Sequence, residues 1–148
     1  MITKTYVSNS VEETIEIGKN FGSNLSCGNI VSLIGNLGSG KTKFVQGISK
    51  FFDVKEIVSS PTFTLINEYN GNFCKIIHFD LYRLKTTEEI LELGFIDYLN
   101  DKNSICIIEW GEKSNEILPK EKIDVRFEYG KNEFERIITI KKIYDTWN

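Results

Sequence analysis

One octapeptide constrains this chain more than any other stretch: Gly35-Asn36-Leu37-Gly38-Ser39-Gly40-Lys41-Thr42. It fits the phosphate-binding P-loop pattern G-x-x-x-x-G-K-[S/T] at every fixed position. The apolar run Ile30-Val31-Ser32-Leu33-Ile34 precedes it and reads as a buried parallel strand. A helical stretch, Phe44 to Phe51, follows. A polyphosphate needs many donors at close range. Gly35, Gly38 and Gly40 let the backbone turn its N–H groups inward. A helix starting near Lys41 aims its positive dipole end at the same place. Lys41 supplies a cation for the outer phosphates, and Thr42 a hydroxyl for Mg²⁺.

The length of 148 residues predicts a single domain, 1–148, with a sizeable core. The net charge of −3 provides no global basic field to draw in nucleic acid. Arginine is scarce, with only Arg83, Arg126 and Arg136. Cys27, Cys74 and Cys106 are odd in number, widely spaced and free of any C-x-x-C, so we expect buried, reduced thiols in a cytoplasmic protein. His78 is the sole histidine and has no ligands at zinc spacing. Met1 to Ser10 lacks the apolar segment of a signal peptide, and no apolar run is long enough to span a membrane.

Ile2 to Val7 reads as a first strand, and Ser10-Val11-Glu12-Glu13 as a capping box. The helix it opens is expected to bury a face through Val11, Ile15, Gly18 and the later Leu25. Val54 to Ser60 is a connector, and a short strand at Ile57-Val58 is the alternative its apolar pair offers. Phe63 to Tyr69 and Phe73 to Phe79 form a hairpin about Asn70-Gly71-Asn72. Thr86-Thr87-Glu88-Glu89 caps a helix that Gly94 ends. Ile105 to Ile108 is a strand ending in Glu109-Trp110-Gly111. Lys122 to Tyr129 and Glu133 to Lys142 make a second hairpin about Gly130. Together these predict an α/β, three-layer P-loop NTPase fold with a mixed, partly antiparallel central sheet.

Hydrolysis at a P-loop needs a metal-holding acid and a group that orients water. Two apolar β-type runs end in carboxylates, one at Asp80 and the other at Glu109. Spacing leaves both roles open for each: metal ligation, direct or through water, and polarisation of the attacking water. Ser60-Pro61-Thr62-Phe63-Thr64 is either a loop that senses a γ-phosphate or a plain connector. His78 either orients a neighbour in the site or is a satisfied half-buried histidine. Tyr82 and Arg83 are partner or phosphate contacts, or else a solvated face. Trp110 packs on a nucleotide, on a partner or in the core.

Gly35 to Thr42, Ser60-Pro61-Thr62-Phe63-Thr64-Leu65, His78-Phe79-Asp80-Leu81-Tyr82-Arg83-Leu84 and Ile108-Glu109-Trp110 resemble the bacterial TsaE (YjeE) ATPase family in order and spacing. The resemblance covers nearly the whole chain, and the second and third strings are its most specific parts. It implies an ATPase required for N6-threonylcarbamoyladenosine (t6A) formation on the tRNA adenosine beside the anticodon. Such a protein acts on the TsaB–TsaD pair through ATP binding and hydrolysis, does not transfer the group itself, and meets tRNA indirectly. Carried over by motif, Gly35 to Thr42 bind nucleotide, and Thr42 and Glu109 hold Mg²⁺. Asp80, with Glu109 and Lys41, serves hydrolysis. Thr62 and Thr64 resemble a first switch, and His78 to Arg83, with Tyr82, a second. Trp110 belongs with these partner-facing segments, and Ser10 sits where the family has a residue near adenine. Asn36 stands where many members have Asp, and Ser39 where many have Ala.

Three other functions compete. A small-molecule or nucleoside kinase shares the P-loop but normally clamps the transferred phosphoryl group with several arginines. A GTPase needs an N-K-x-D string, and Asp101-Lys102-Asn103 is not one. A nucleotide-gated adaptor without catalysis shares the same binding motif.

Overall fold

Strands that are apolar at every position belong in the middle of a sheet covered on both faces. β2 (Ile30–Ile34) and β5 (Ser104–Glu109) come close to this, apolar but for Ser32, Ser104 and the terminal Glu109, and are buried throughout. The structure, a computed structural model, describes residues 1–142, so 143–148 of the expected domain lie outside the described residues. Around these two strands stand β1 (Ile2–Ser8), β3 (Ile66–Asn70), β4 (Lys75–Asp80), β6 (Ile123–Tyr129) and β7 (Arg136–Lys142). The helices are α1 (Val11–Gly22), α2 (Lys41–Phe51), α3 (Thr87–Leu91) and α4 (Phe95–Leu99), with a 3₁₀ turn at Gly111–Ser114.

The sheet runs β1-β7-β6-β2-β5-β4-β3. Its four inner strands β6, β2, β5 and β4 are parallel. β1 and β7 at one side, and β3 at the other, run antiparallel to their neighbours. This is the mixed sheet expected. Alternate side chains feed two cores. Val31, Leu33, Ile76, Ile105 and Ile107 pack with Phe21, Phe44 and Ile48 of α1 and α2. Ile30, Ile77, Phe79 and Ile108 pack with Ile90, Phe95 and Leu99 of α3 and α4. The result is three layers of an α/β P-loop fold.

α1 and α2 cross at backbone contact. A Cβ on Gly47 would lie 2.0 Å from Ile15 O, and one on Gly18 2.4 Å from Phe44 O. Only glycine permits this approach, and it fixes the helix that carries Lys41 and Thr42. The parallel pairing also brings strand ends together: Glu109 is in register with Asp80 on one side and Leu33 on the other. Both strand-end acids and the P-loop thus share the carboxyl edge of the sheet, the usual place for a ligand crevice in such folds.

Several expectations change. Ile57-Val58 is not a strand: Val58 O takes Gln46 Nε2, and Ile57 is exposed. β3 starts at Ile66 and β4 at Lys75, because Leu65 and Phe73 have φ of 70° and break the extended run. Gly94 does not end the helical region; it is a left-handed joint between α3 and α4. The Thr86–Glu89 capping box is complete, whereas Glu13 caps Asn9 N rather than Ser10 N. Val11 is exposed and Ile15 half-buried, whereas Gly18 and Leu25 are buried as expected, with Thr14, Phe21 and Gly22 completing the face.

The thiols are a further correction. Cys27 and Cys74 form a disulfide with Cα atoms 5.5 Å apart, and only Cys106 is free. Both flank the amino end of β5, where Gly28 N donates to Ser104 O and Lys75 N to Asn103 O. Strand order, not sequence distance, makes them neighbours. Among the described residues no helix is long and apolar enough to cross a membrane.

Candidate functional site

The P-loop takes its shape from two glycines with positive φ, Gly38 at 76° and Gly40 at 106°. L-residues with side chains rarely adopt this conformation. Gly40 is the N-cap of α2, and the first intrahelical bond runs from Phe44 N to Gly40 O. The N–H groups before Phe44 have no partner within the helix, which is the basis of anion binding at helix starts. The crown of the loop is held from outside by the β6–β7 hairpin. Tyr129 Oη donates to Leu37 O at 2.6 Å, and Arg136 Nη2 to Gly38 O at 3.3 Å. Arg136 also stacks on the Tyr129 ring, 4.8 Å from its centroid. Two consecutive carbonyls are thereby drawn away from the loop's concave side.

Lys41 folds back over the loop. Its Nζ donates to Gly35 O and to Asn36 O, and sits 4.3 Å from the centroid of the Trp110 ring. Burial pulls its pKa below the ordinary lysine value, against the opposing pull of Glu109, Glu112 and Asp80. Trp110 has φ of 60°, its ring meets Tyr82 at 5.0 Å, and, half-buried, it packs against the second core while also walling the cavity.

Glu109 is 3% exposed, and its carboxylate takes Thr42 Oγ1 on both oxygens, at 3.1 and 3.0 Å. Its Oε2 also meets His78 Nε2 at 2.6 Å. Asp80 is held differently. Ser60 Oγ and Thr62 Oγ1 donate to its Oδ2 at 2.9 and 3.0 Å, and Tyr82 N donates to its Oδ1 at 2.9 Å. The loop before β3 therefore closes on the end of β4.

These groups line one cavity of about 310 Å³: Leu37, Gly38, Ser39, Lys41 and Thr42 on the P-loop side, Ser60, Thr62, Asp80, Tyr82, Glu109 and Trp110 opposite. Ser39 Oγ is buried there with no hydrogen-bond partner, a hydroxyl left over for a ligand. Gly35 and Asn36 contribute through their carbonyls, which hold Lys41. Gly40 and Ser10 line a smaller neighbouring cavity of about 90 Å³ with Phe134 and Arg136.

The remaining sequence-predicted residues lie elsewhere. Thr64 bonds Asn67 Oδ1 at 3.2 Å, turned away by the Leu65 backbone. Arg83 sits over the Phe63 ring at 5.2 Å. His78 is wholly buried behind Glu109. Sequence reasoning did not single out Ser60, Tyr129 or Arg136 as site residues. Ser60 was within reach, since it shares the Ser-Pro-Thr string with Thr62.

The donor set suits a hard cation shared with phosphate. Thr42 and Glu109 offer oxygen, and Mg²⁺ prefers one or two carboxylates plus substrate phosphates to an all-protein cage. Among the described residues no group of three His, Cys, Asp or Glu is poised to hold a metal.

The chain matches the family model for threonylcarbamoyl adenosine biosynthesis protein TsaE over residues 8–138. It is 46% identical over 100 residues to the tRNA threonylcarbamoyladenosine biosynthesis protein TsaE of Haemophilus influenzae, across 68% of this chain and 63% of that protein, so the match spans less than two thirds of that relative. With the protein of the same name from Rickettsia typhi it shares 41% identity over 135 residues, 90% of this chain and 92% of that one. The crystal structure of Bacillus subtilis YdiB superposes with a TM-score of 0.83 at 28% identity, covering 97% of this chain and 87% of that one. The chain belongs to the TsaE family.

Proposed function

We propose that this chain is a Mg²⁺-dependent ATPase that supports t6A formation on tRNA by acting on a TsaB–TsaD pair in the cytoplasm. The relatives' name, tRNA threonylcarbamoyladenosine biosynthesis protein, supports the pathway. The observation that carries the chemistry is the convergence of Lys41, Thr42, Asp80 and Glu109 on one cavity in front of a P-loop.

Each residue has a distinct part. The backbone N–H groups of residues 38–42 and the buried Ser39 hydroxyl bind the phosphate chain. Lys41 exchanges its carbonyl partners for phosphate oxygens. Thr42 and Glu109 would hold a magnesium ion, which would supply charge neutralisation for the phosphate chain. Asp80 accepts a hydrogen bond from the attacking water and so aligns it. Ser60 and Thr62 keep its carboxylate turned into the cavity. No arginine lines the cavity, which disfavours the kinase reading.

Phosphate release from ATP, measured for the protein alone and with a purified TsaB–TsaD pair, tests this reading. Slow release that rises on adding the pair is the expected result. Release indifferent to the pair would remove the partner from the account.

A further inference from the structure

The sequence leaves His78 as a residue that orients a neighbour or a satisfied half-buried histidine, and the family resemblance adds a switch segment; its surroundings are those of a fixed support. It lies within β4, is 0% exposed, and its Nε2 is 2.6 Å from Glu109 Oε2. Against an ionised Glu109, Nε2 is the donor of this bond, because a bare ring nitrogen would set two lone pairs against each other at that distance. Nδ1 is buried with no hydrogen-bond partner among the described residues. The ring's one hydrogen bond is therefore spent on Glu109.

Glu109 has two side-chain donors, Thr42 and His78, and they differ in kind. Thr42 is half-buried, lines the cavity and sits in the first turn of α2. Its hydroxyl is the one that turns to a cation. His78 is closed off from solvent, and among the described residues its ring has no hydrogen-bond partner besides Glu109. We infer that His78 is the positioning residue that holds Glu109 Oε2 in place, leaving Oε1 for the cation once Thr42 lets go. Partners that fix a metal-binding carboxylate in this way commonly govern metal affinity without touching the metal. The inference rests on the ATPase reading above, in which Glu109 serves Mg²⁺.

The test compares His78→Gln with His78→Asn. Glutamine carries an amide donor out to the Nε2 position, whereas asparagine stops near Nδ1. A fluorescent ATP analogue is titrated in EDTA and then across Mg²⁺ concentrations, with thermal melting in parallel. We expect all three proteins to bind equally in EDTA. His78→Gln should keep nearly the parent's half-saturating Mg²⁺, and His78→Asn should need about 10- to 100-fold more. Equal Mg²⁺ requirements for the two variants, or the parent's value in His78→Asn, would overturn the inference. If the parent itself shows no Mg²⁺-dependent binding, the ATPase reading fails first, and the two failures stay distinguishable. If His78→Asn fails to fold, a His78→Gln variant that melts like the parent yet needs tenfold more Mg²⁺ would still overturn it.

Discussion

The hydroxyl of Thr42 bonds both carboxylate oxygens of Glu109, at 3.1 and 3.0 Å, although 67 positions separate the two residues. One belongs to the helix after the P-loop and the other ends β5. The parallel register of β2 and β5 makes them meet. Each thereby satisfies the other's hydrogen-bonding atoms.

Glu109→Gln keeps the size of the side chain and one of its two oxygen acceptors but removes its charge. The half-saturating Mg²⁺ for nucleotide binding should rise by at least about tenfold, while binding in EDTA changes little. An unaltered Mg²⁺ titration would count against Glu109 as a metal ligand.

Lys41→Ala removes a cation whose contacts in this structure are two loop carbonyls and the Trp110 ring. A charge-assisted hydrogen bond contributes about 1.5–3 kcal/mol, so ATP affinity should fall about 10- to 150-fold in a calorimeter. ATP affinity equal to the parent's would show that Lys41 does not bind phosphate.

Gly47→Ala tests the crossing that seats the P-loop helix. Its Cβ would collide with the Ile15 carbonyl at 2.0 Å. Overpacking of this kind costs about 1–3 kcal/mol and outweighs the gain of up to about 1 kcal/mol in helix propensity. At about 2–4 °C per kcal/mol, the melting temperature should drop by several degrees. A variant as stable as the parent would mean the two helices can separate freely.

The thiols give a chemical check on the fold. Burial pushes the Cys106 thiol up to about 12, so it is almost entirely protonated at pH 8, and Cys27 and Cys74 are bonded to each other. Iodoacetamide at pH 8 should leave the folded, unreduced protein unmodified and add one label after denaturation. Adding reductant to the denatured protein should raise the count to three. Three labels without reductant would show that the disulfide is absent.

Much of this was legible in the chain because it is local. Strand, glycine-rich loop and helix are contiguous, and two apolar runs ending in Asp80 and Glu109 read as parallel strands with acids at one edge. The illegible parts depend on contacts between distant residues or on single backbone angles. Tyr129 reaches Leu37 across 92 positions, and Arg136 reaches Gly38 across 98, through strand order that no local pattern records. Cys27 and Cys74 meet for the same reason. Thr64 and Thr62 look equivalent in sequence, yet Leu65 at φ of 70° sends Thr64 to Asn67 while Thr62 stays on Asp80. Gly94 looked like a helix stop because a left-handed residue ends one helix as readily as it joins two.

Asp80 carries the central claim, that this cavity hydrolyses the nucleotide it binds. Asp80→Asn keeps the size of the side chain and one oxygen acceptor, for either the Ser60 and Thr62 hydroxyls or the Tyr82 N–H, while removing the charge that aligns water. The measurement is single-turnover hydrolysis of γ-labelled ATP, alongside calorimetric affinity for the same nucleotide. The account predicts affinity close to the parent's and a hydrolysis rate lower by about 10²- to 10⁴-fold. Hydrolysis at the parent's rate would contradict it and leave Asp80 as a structural anchor for the loop that closes over it.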